Sequence, residues 1–465
     1  MTSIFLSVGQ CGNQLANCLL GYLDSNDRAQ TSYLYRFNDE KFRLVGLDGD
    51  NKVMERMRDE QSSRVRKENL IGCKKLNGSL WASGYHSLAG LGGGETRNVE
   101  LGRTMDAIRR ESERCDFLLH FNLMHSLAGG AGSGCTSRLM EELRDEYGTK
   151  KYMFNQTVAP FRDGELPLQH YNTLLSLPFL FDLSDCIYLH QNDDVMRQIE
   201  KQQLSDAPKS TSTKLMPHRL ASRSVESSNL NDLITFNDMN SYIVRSMLTS
   251  MLPVDSVSLR EQSIGMELLE MCRLLCSMPS LKIVEQLTAN MTESSIVVDR
   301  YAPKSKEQEH SLMSMLLKRS FGSMPKFDQR TERPERYVSL SSLLIARSNL
   351  DTCNQQLAYL WSNYELIKRN LNPVKWNPHS IEFWTSSQLV NECGAEQKKS
   401  KSSSMTMCMN RTRCVDYLSE VQARSMSKYK QRAYLHWYEE FGVGDDYFRN
   451  GFESVQHVID AYKSI

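Results

Sequence analysis

The sequence predicts an α/β fold with a parallel sheet, and three observations carry that expectation. Short, nearly continuous apolar runs recur through about the first 200 residues, as strands buried on both faces require. Segments of helical periodicity separate them, and strands alternating with helices close as parallel βαβ units. Polar, glycine-rich loops follow the strands, at the carboxyl ends where such sheets collect ligands.

In chain order, SIFLSV opens as a first strand and GQCGNQ (9–14) leads from it into a helix. FRLVGL is the second strand, followed by LDGDN (47–51). NGSLWASGYHSLAGLGGGETRN (77–98) reads as a glycine-rich loop around one Trp, and VELGRTMDAIRRESERC as a helix. CDFLLHFNLMH is a strand that runs through AGGAGSG (128–134) into the helical SRLMEELRDEYG. YMFNQTV and DCIYLHQ are further strands, with RDGELPLQHYN (162–172) before a helical run between them. The Ser- and Pro-rich stretch 205–228 reads as a loop or insertion.

A long helix follows. Leu230, Leu233, Ile234, Met239, Ile243, Met247, Leu248 and Met251 recur at three- and four-residue intervals until Pro253 stops them. It divides the chain into a ligand-binding part (1–228), a core helix (229–253), a smaller α+β part (254–390) and a C-terminal part (391–465). Within the last, ECGAEQKKSKSSSMTMCMNRTR (392–413) reads as a mobile loop, and the chain is helical from about 414.

Composition excludes several classes. With 56 basic and 56 acidic residues there is no global field to draw the chain to nucleic acid or an anionic membrane. LLSLPFLFDL reaches only about half the ~20 apolar residues that a bilayer span needs. The N-terminus lacks the basic flank of a signal peptide, so the 12 scattered cysteines read as reduced thiols. Cys272 and Cys276, at helical spacing among apolar residues, read as a buried face rather than metal ligands.

Four glycines in HSLAGGAGSGC (125–135) allow two readings, a tight turn or backbone N–H groups approaching an anion. No Gly-Lys-Ser/Thr ends the loop and no G-x-G-x-x-G follows the first strand, which disfavours both a Walker A site and a dinucleotide fold. Negative charge would therefore be met by N–H groups, a helix N-terminus and a cation.

GQCGNQ, WASGY, HS-x-AGG-x-GSG, RYVSLSSLLIAR and AYLHWYEEFG occur in that order, and with them the chain resembles the tubulin family over nearly its whole length. The resemblance sets insertions near 205–228, 253–265 and 392–413. It implies a tubulin-like GTPase domain with parallel sheet, core helix, α+β intermediate domain and helical C-terminal segment, with GTP or GDP and Mg²⁺ as cofactors. The chain stops at VQHVIDAYKSI without the Glu-rich tail of α- and β-type members, and its FG-x-x-x-x-x-F ending is similar to δ- and ζ-type tubulins. That likeness implies other tubulin subunits or centriolar and basal-body microtubules as partners, and a cytoskeletal location.

By the same resemblance Gln10 and Cys11 lie beside the phosphates, and Ser126, Gly129, Gly130, Gly132, Ser133 and Gly134 form the phosphate loop. Gln14, Asn192 and Asn240 match positions at the guanine, and an amide both donates and accepts, as a purine edge requires. Gln14 also suits an exposed helix position, and Phe236, which matches an aromatic stacked on the base, also suits core packing. Glu165 and Gln169 match ribose-contacting acids, Gln169 being a departure. Magnesium falls to Gln10, Asp48 and Asp50, although the family pattern of two acids flanking a leucine is changed to Gly46-Leu47-Asp48. Ala131 replaces a phosphate-contacting threonine, at a cost of about 1 kcal/mol for one hydrogen bond. Glu267 and Glu270 match acids that α-type members extend to the nucleotide of the neighbouring subunit, where they polarise the attacking water. Spaced i, i+3, they equally suit the wet face of a helix, and a GTP-bound adaptor or cap without turnover, or an ordinary polymer-forming tubulin, is the alternative.

Overall fold

The computed structural model describes residues 2–25, 41–73, 79–89, 99–164, 166–206, 234–254, 256–257, 268–292, 306–327, 336–349, 352–390 and 402–465. Its strands are β1 (Thr2–Val8), β2 (Leu44–Asp48), β3 (Leu70–Gly72), β4 (Leu118–Ser126), β5 (Tyr152–Ala159) and β6 (Cys186–Gln191), then β7 (Ser256–Val257), β8 (Ile283–Thr292), β9 (Ser339–Arg347), β10 (Ile381–Ser386) and β11 (Ser402–Arg411). They hydrogen-bond as one 11-stranded sheet in the order β3-β2-β1-β4-β5-β6-β8-β11-β9-β10-β7. Every pair from β3 to β8 is parallel, whereas β11 runs antiparallel to both β8 and β9. The predicted α/β architecture and its parallel sheet are thus present.

The helices are α1 (Gly9–Ser25), α2 (Asn51–Glu60), α3 (Trp81–Ala89), α4 (Val99–Glu113), α5 (Thr136–Tyr147), α6 (Gln169–Leu183), α7 (Asn192–Asp206) and α8 (Phe236–Met251). They continue as α9 (Leu268–Leu275), α10 (Lys306–Ser323), α11 (Cys353–Ser362), α12 (Tyr364–Leu371), α13 (Cys414–Lys430), α14 (Leu435–Glu439) and α15 (Asp445–Lys463). The sheet is covered on both sides, and β6 shows how its continuous apolar run is used. Ile187 and Leu189 join the core under α3–α6, α13 and α15, while Cys186 and Tyr188 join the core under α1, α8 and α9. A third core gathers β8–β11 with α10–α12. Period-two alternation between two buried layers is why this strand reads as uniformly apolar.

Three expectations are corrected. The long helix begins at Phe236, because Thr235 and Asp238 form a capping box there, and Ile234 precedes it; Leu230 and Leu233 lie outside the described residues. WASGYHSLA is the helix α3 and not a loop, with Trp81 fully buried. Most consequentially, Ser402–Arg411, expected within a mobile loop, is β11, buried along its whole length between two strands. Met405, Met407 and Met409 alternate with Thr406 and Cys408, so one face enters the third core while Thr406 bonds Thr288 and Thr249 on the other. Hydroxyls that find partners bury at little cost, as Ser402 does with Arg245 and Ser403 with Ser348. Residues 207–228, 258–265 and 392–401 of the expected insertions lie outside the described residues.

Arg347, the last residue of the RYVSLSSLLIAR motif, is fully buried and donates to the carbonyls of Thr249 (2.8 Å), Leu252 and Pro253. It thereby satisfies the carbonyl end of α8, where positive charge is favoured by the helix dipole.

Candidate nucleotide site

The site is built at the carboxyl ends of β1, β2, β4 and β5. Gly9 turns β1 into α1 with φ +72°, a conformation that suits glycine, and a Cβ there would lie 2.7 Å from the Gly132 nitrogen. The turn sets Gln10 exposed and Cys11 half-buried at the first turn of α1, beside the glycine loop. Burial pushes the Cys11 thiol up to about 12, so it stays protonated.

After β4, Ser126 accepts a hydrogen bond from the Ala128 amide (3.2 Å) and the chain passes through a π-helical turn, Ala131–Cys135, into α5. Ser133 donates to the Gly129 carbonyl (2.6 Å). The loop glycines do not share one purpose. A Cβ on Gly134 would lie 2.1 Å from the Trp81 carbonyl oxygen, and one on Gly130 would meet the Leu80 backbone at 2.4 Å. Those two, and Gly132 against Ser126, are small because protein backbone packs on them. Around Gly129 a Cβ would meet nothing within 4 Å. The expectation that phosphate approach explains the glycines is corrected to this extent: close packing of α3 and β4 accounts for three of them.

A residue the sequence reading missed holds this packing together. Asn172 on α6 is fully buried, and its amide accepts from the Trp81 N–H and the Tyr438 hydroxyl, each at 2.8 Å, and donates to the carbonyls of Ala128 (2.7 Å) and Ser79 (2.5 Å). All of its hydrogen-bonding capacity is spent joining the glycine loop, α3, α6 and α14. The available signal was the pairing of QHYN with AYLHWYEEFG, two motifs with no visible relation until both meet at one amide.

The second missed residue is Asn13, also buried. It accepts from Ser7 (2.6 Å) and donates to Leu47 O (3.2 Å) and Asp48 Oδ2 (3.1 Å). Asp48 is thereby held buried, its other carboxylate oxygen accepting from the Asp50 amide (3.3 Å). Burial holds the Asp48 carboxyl above the usual carboxylate range, partly offset by these bonds. Among the described residues its partners are an amide and backbone N–H groups, with no cation among them. Asp50 is exposed and caps α2 through the Lys52 amide (2.8 Å).

Of the expected base-binding residues, Gln14 and Asn240 meet. Packing of α1 on α8 brings the Asn240 amide to Gln14 Oε1 at 3.4 Å. Phe236 is 66% exposed and, among the described residues, meets the edge of Phe161, ring centroids 6.2 Å apart, so core packing does not explain it. Asn192, half-buried, opens α7 next to Asp193, which accepts from the Arg162 amide (2.9 Å). Gln169 is buried, its amide donating to Phe161 O (2.9 Å) within its own loop, and Glu165 lies outside the described residues. A cavity of about 430 Å³ lies behind this loop, lined by Phe161, Arg162, Asp193, Arg197, Arg413 and Glu420; none of the predicted site residues borders it.

Glu270 is elsewhere. It sits on α9, 40% exposed and paired with Arg273 at 2.9 Å; Glu267 lies outside the described residues. Arg273 in turn bonds Tyr152 at the amino end of β5, which is level with His120 of β4. Six residues separate His120 from Ser126, where the glycine loop begins, or about 20 Å at the rise of a strand. The acid and the glycine loop occupy opposite edges of the parallel sheet.

Residues 2–200 match the Tubulin/FtsZ family, GTPase domain. That stretch is thus a GTPase domain of the Tubulin/FtsZ family. Tubulin delta chain of Homo sapiens is 26% identical over 494 residues, covering 99% of each chain. Tubulin epsilon chain of Homo sapiens is 24% identical over 501 residues, 100% of this chain and 96% of the relative, and tubulin beta-1 chain of Hypocrea rufa is 21% identical over 495. The chain's likeness to tubulins extends past the GTPase domain, and the glycine loop, Gln14 and Asn192 all lie inside the matched residues. The family places it among cytoskeletal GTP-binding proteins that associate with other tubulin subunits, and no helix among the described residues is long and apolar enough to cross a membrane.

Proposed function

We propose that this chain is a specialised tubulin that binds GTP in the cleft of Gln10, Cys11, Gln14, Ser126, Gly129, Asn192, Phe236 and Asn240, acts in centriolar or basal-body microtubule assembly or stabilisation, and completes hydrolysis at a head-to-tail subunit contact. Likeness to delta and epsilon tubulins along the whole chain supports the specialised role. Asp48, with Gln10 and Asp50, would hold magnesium, which would neutralise phosphate charge there. The chain's own residues bind and orient: loop amides face the phosphates, Gln14 and Asn240 face the base, and Phe236 covers it.

The observation that carries the catalytic reading is the opposed placement of Glu270 and the glycine loop. Stacking two copies along the strand direction sets α9 of one over the loop of the next, a heterologous contact that repeats as a filament. There Glu270, released from Arg273, would polarise water for attack. Nucleotide extracted from the purified chain is expected to be guanine; its absence overturns the binding assignment. Turnover per chain is expected to rise with protein concentration and to vanish in Glu270→Ala with nucleotide still bound. The Glu270–Arg273 ion pair also favours a second reading, a GTP-bound adaptor without turnover, which stands if wild-type and Glu270→Ala are equally inert.

A further inference from the structure

Three thiols meet beneath α9, outside the nucleotide cleft. Cys186 begins β6 and is fully buried, Cys272 lies two residues from Glu270 and is 5% exposed, and Cys276 is half-buried just past the helix end. All three join one core cluster, with Cys272 Sγ 3.6 Å from the carbonyl oxygen of Asp185, the residue before Cys186, and Cys276 Sγ 3.6 Å from Lys282 O. Cys272 and Cys276 are one helical turn apart, the Cys276 amide donating to Cys272 O at 2.7 Å. The fourth member is Lys282, whose ammonium, anchored on Phe181 O (2.9 Å) and Ser184 O (2.7 Å), lends its charge to Cys272 and Cys276.

Two chemistries use clustered thiols. Metal binding is disfavoured, since among the described residues no group of three or more His, Cys, Asp or Glu side chains is arranged to hold an ion. Thiol–disulfide chemistry needs one thiolate, a neighbouring thiol and access for a small oxidant. Hydrogen bonds from Cys186 and Cys276 bring the Cys272 thiol down to about 5 against its burial, while Cys186 is pushed up, chiefly by burial. Cys272, 5% exposed, is the thiol of the three that keeps some accessible surface for a small oxidant.

We propose that Cys186 and Cys272 form a peroxide-driven disulfide switch that fastens α9 to β6, with Cys276 and Lys282 steadying the reactive thiolate. The Cys272 thiolate attacks one oxygen of a hydroperoxide; the S–O bond forms, the O–O bond breaks, and hydroxide (alkoxide from an organic hydroperoxide) leaves. The Cys186 sulfur then attacks the sulfenic sulfur, forming S–S and breaking S–O, and its proton departs with the second oxygen as water. Two thiols lose two electrons and the peroxide gains them. Because α9 carries Glu270, oxidation would hold that helix in one position; this consequence for hydrolysis rests on the function proposed above, whereas the disulfide does not.

Hydrogen peroxide applied to the full-length protein, then alkylation and non-reducing peptide mapping, tests the bond directly. The expected product joins the Cys186 and Cys272 peptides, is reversed by dithiothreitol, and is accompanied by at least tenfold slower amide exchange in residues 268–275. Cys186→Ser, a volume-conserving change at a site away from the cleft, is expected to remove both the bond and the slowing while retaining bound nucleotide. Full alkylation of both cysteines after peroxide, or pairing of either with a different cysteine, overturns the proposal. So does an exchange change that persists in Cys186→Ser.

Discussion

Gly129 and Gly134 sit five residues apart on one loop and lack side chains for different reasons. A methyl on Gly134 would collide with the Trp81 carbonyl and the Tyr85 amide nitrogen, at 2.1 Å and 2.7 Å, whereas one on Gly129 would enter open space. Gly134→Ala is expected to lower unfolding free energy by about 1–3 kcal/mol, the usual cost of overpacking. Gly129→Ala should leave stability within about 0.5 kcal/mol and weaken guanine nucleotide binding instead. Urea denaturation of the nucleotide-free variants, with nucleotide titration of each, separates the two; equal destabilisation by both would show that the whole loop serves packing. Asp48→Asn belongs at the same scale. Removing a buried carboxylate that lacks a cationic partner should leave the metal-free fold at least as stable, while abolishing the rise in melting temperature that added magnesium brings to the nucleotide-bound wild type.

Among the elements, the central strands carry a pH dependence. His120 and His125 on β4 and His190 on β6 are buried, and burial brings them down from 6.5 to about 3, 4 and 4. Since the folded values lie below the unfolded one, the unfolded chain takes up more protons below pH 6.5, and stability present above that pH is lost as pH falls toward 4. Each histidine contributes a slope of about 1.4 kcal/mol per pH unit inside that window. Urea midpoints measured from pH 7.5 to 5 should therefore fall, and fall less steeply in His190→Gln, whose amide retains a partner in Gln156. The junction of β8, β11 and α13 is held by charge. Burial alone would raise Glu285, but Arg411 and Arg413 hold it below the usual carboxylate range, and Arg413 also pairs with Asp194 on α7. Glu285→Ala leaves two buried guanidiniums short of a partner and should cost about 3–5 kcal/mol, read from thermal or urea unfolding.

For the whole molecule, the decisive feature is that the candidate acid and the nucleotide loop face opposite ways along the strands. Under the proposed function such a subunit would carry one half of a catalytic site at each end, so activity should be recoverable between two defective chains. Glu270→Ala, with an intact loop, mixed in equal amount with a chain whose loop cannot bind nucleotide, with an intact Glu270, is expected to regain about a quarter of wild-type turnover, since one in four head-to-tail contacts pairs two sound parts. A mixture no more active than either variant alone would place the catalytic group within a single subunit.

Residue order by itself determined the parallel sheet, the loops at its carboxyl edge and most of the ligand candidates. Those are local signals: continuous apolar runs, 3.6-residue periodicity and glycine clusters each fit inside about ten to twenty residues. The structure decided what depends on partners far away in the chain. SSSMTMCMNR reads as polar until β8 and β9 pair its backbone and Arg245, Thr249, Thr288 and Ser348 meet its hydroxyls, Asn172 is one amide among many until four segments converge on it, and Gly134 resembles a phosphate glycine until α3 is packed against it. Glu270 could be matched by resemblance, but its distance from its own loop follows only from the register of β4 against β5. Periodicity shows which face of an element is buried; what buries it is set by contacts that only the closed chain brings together.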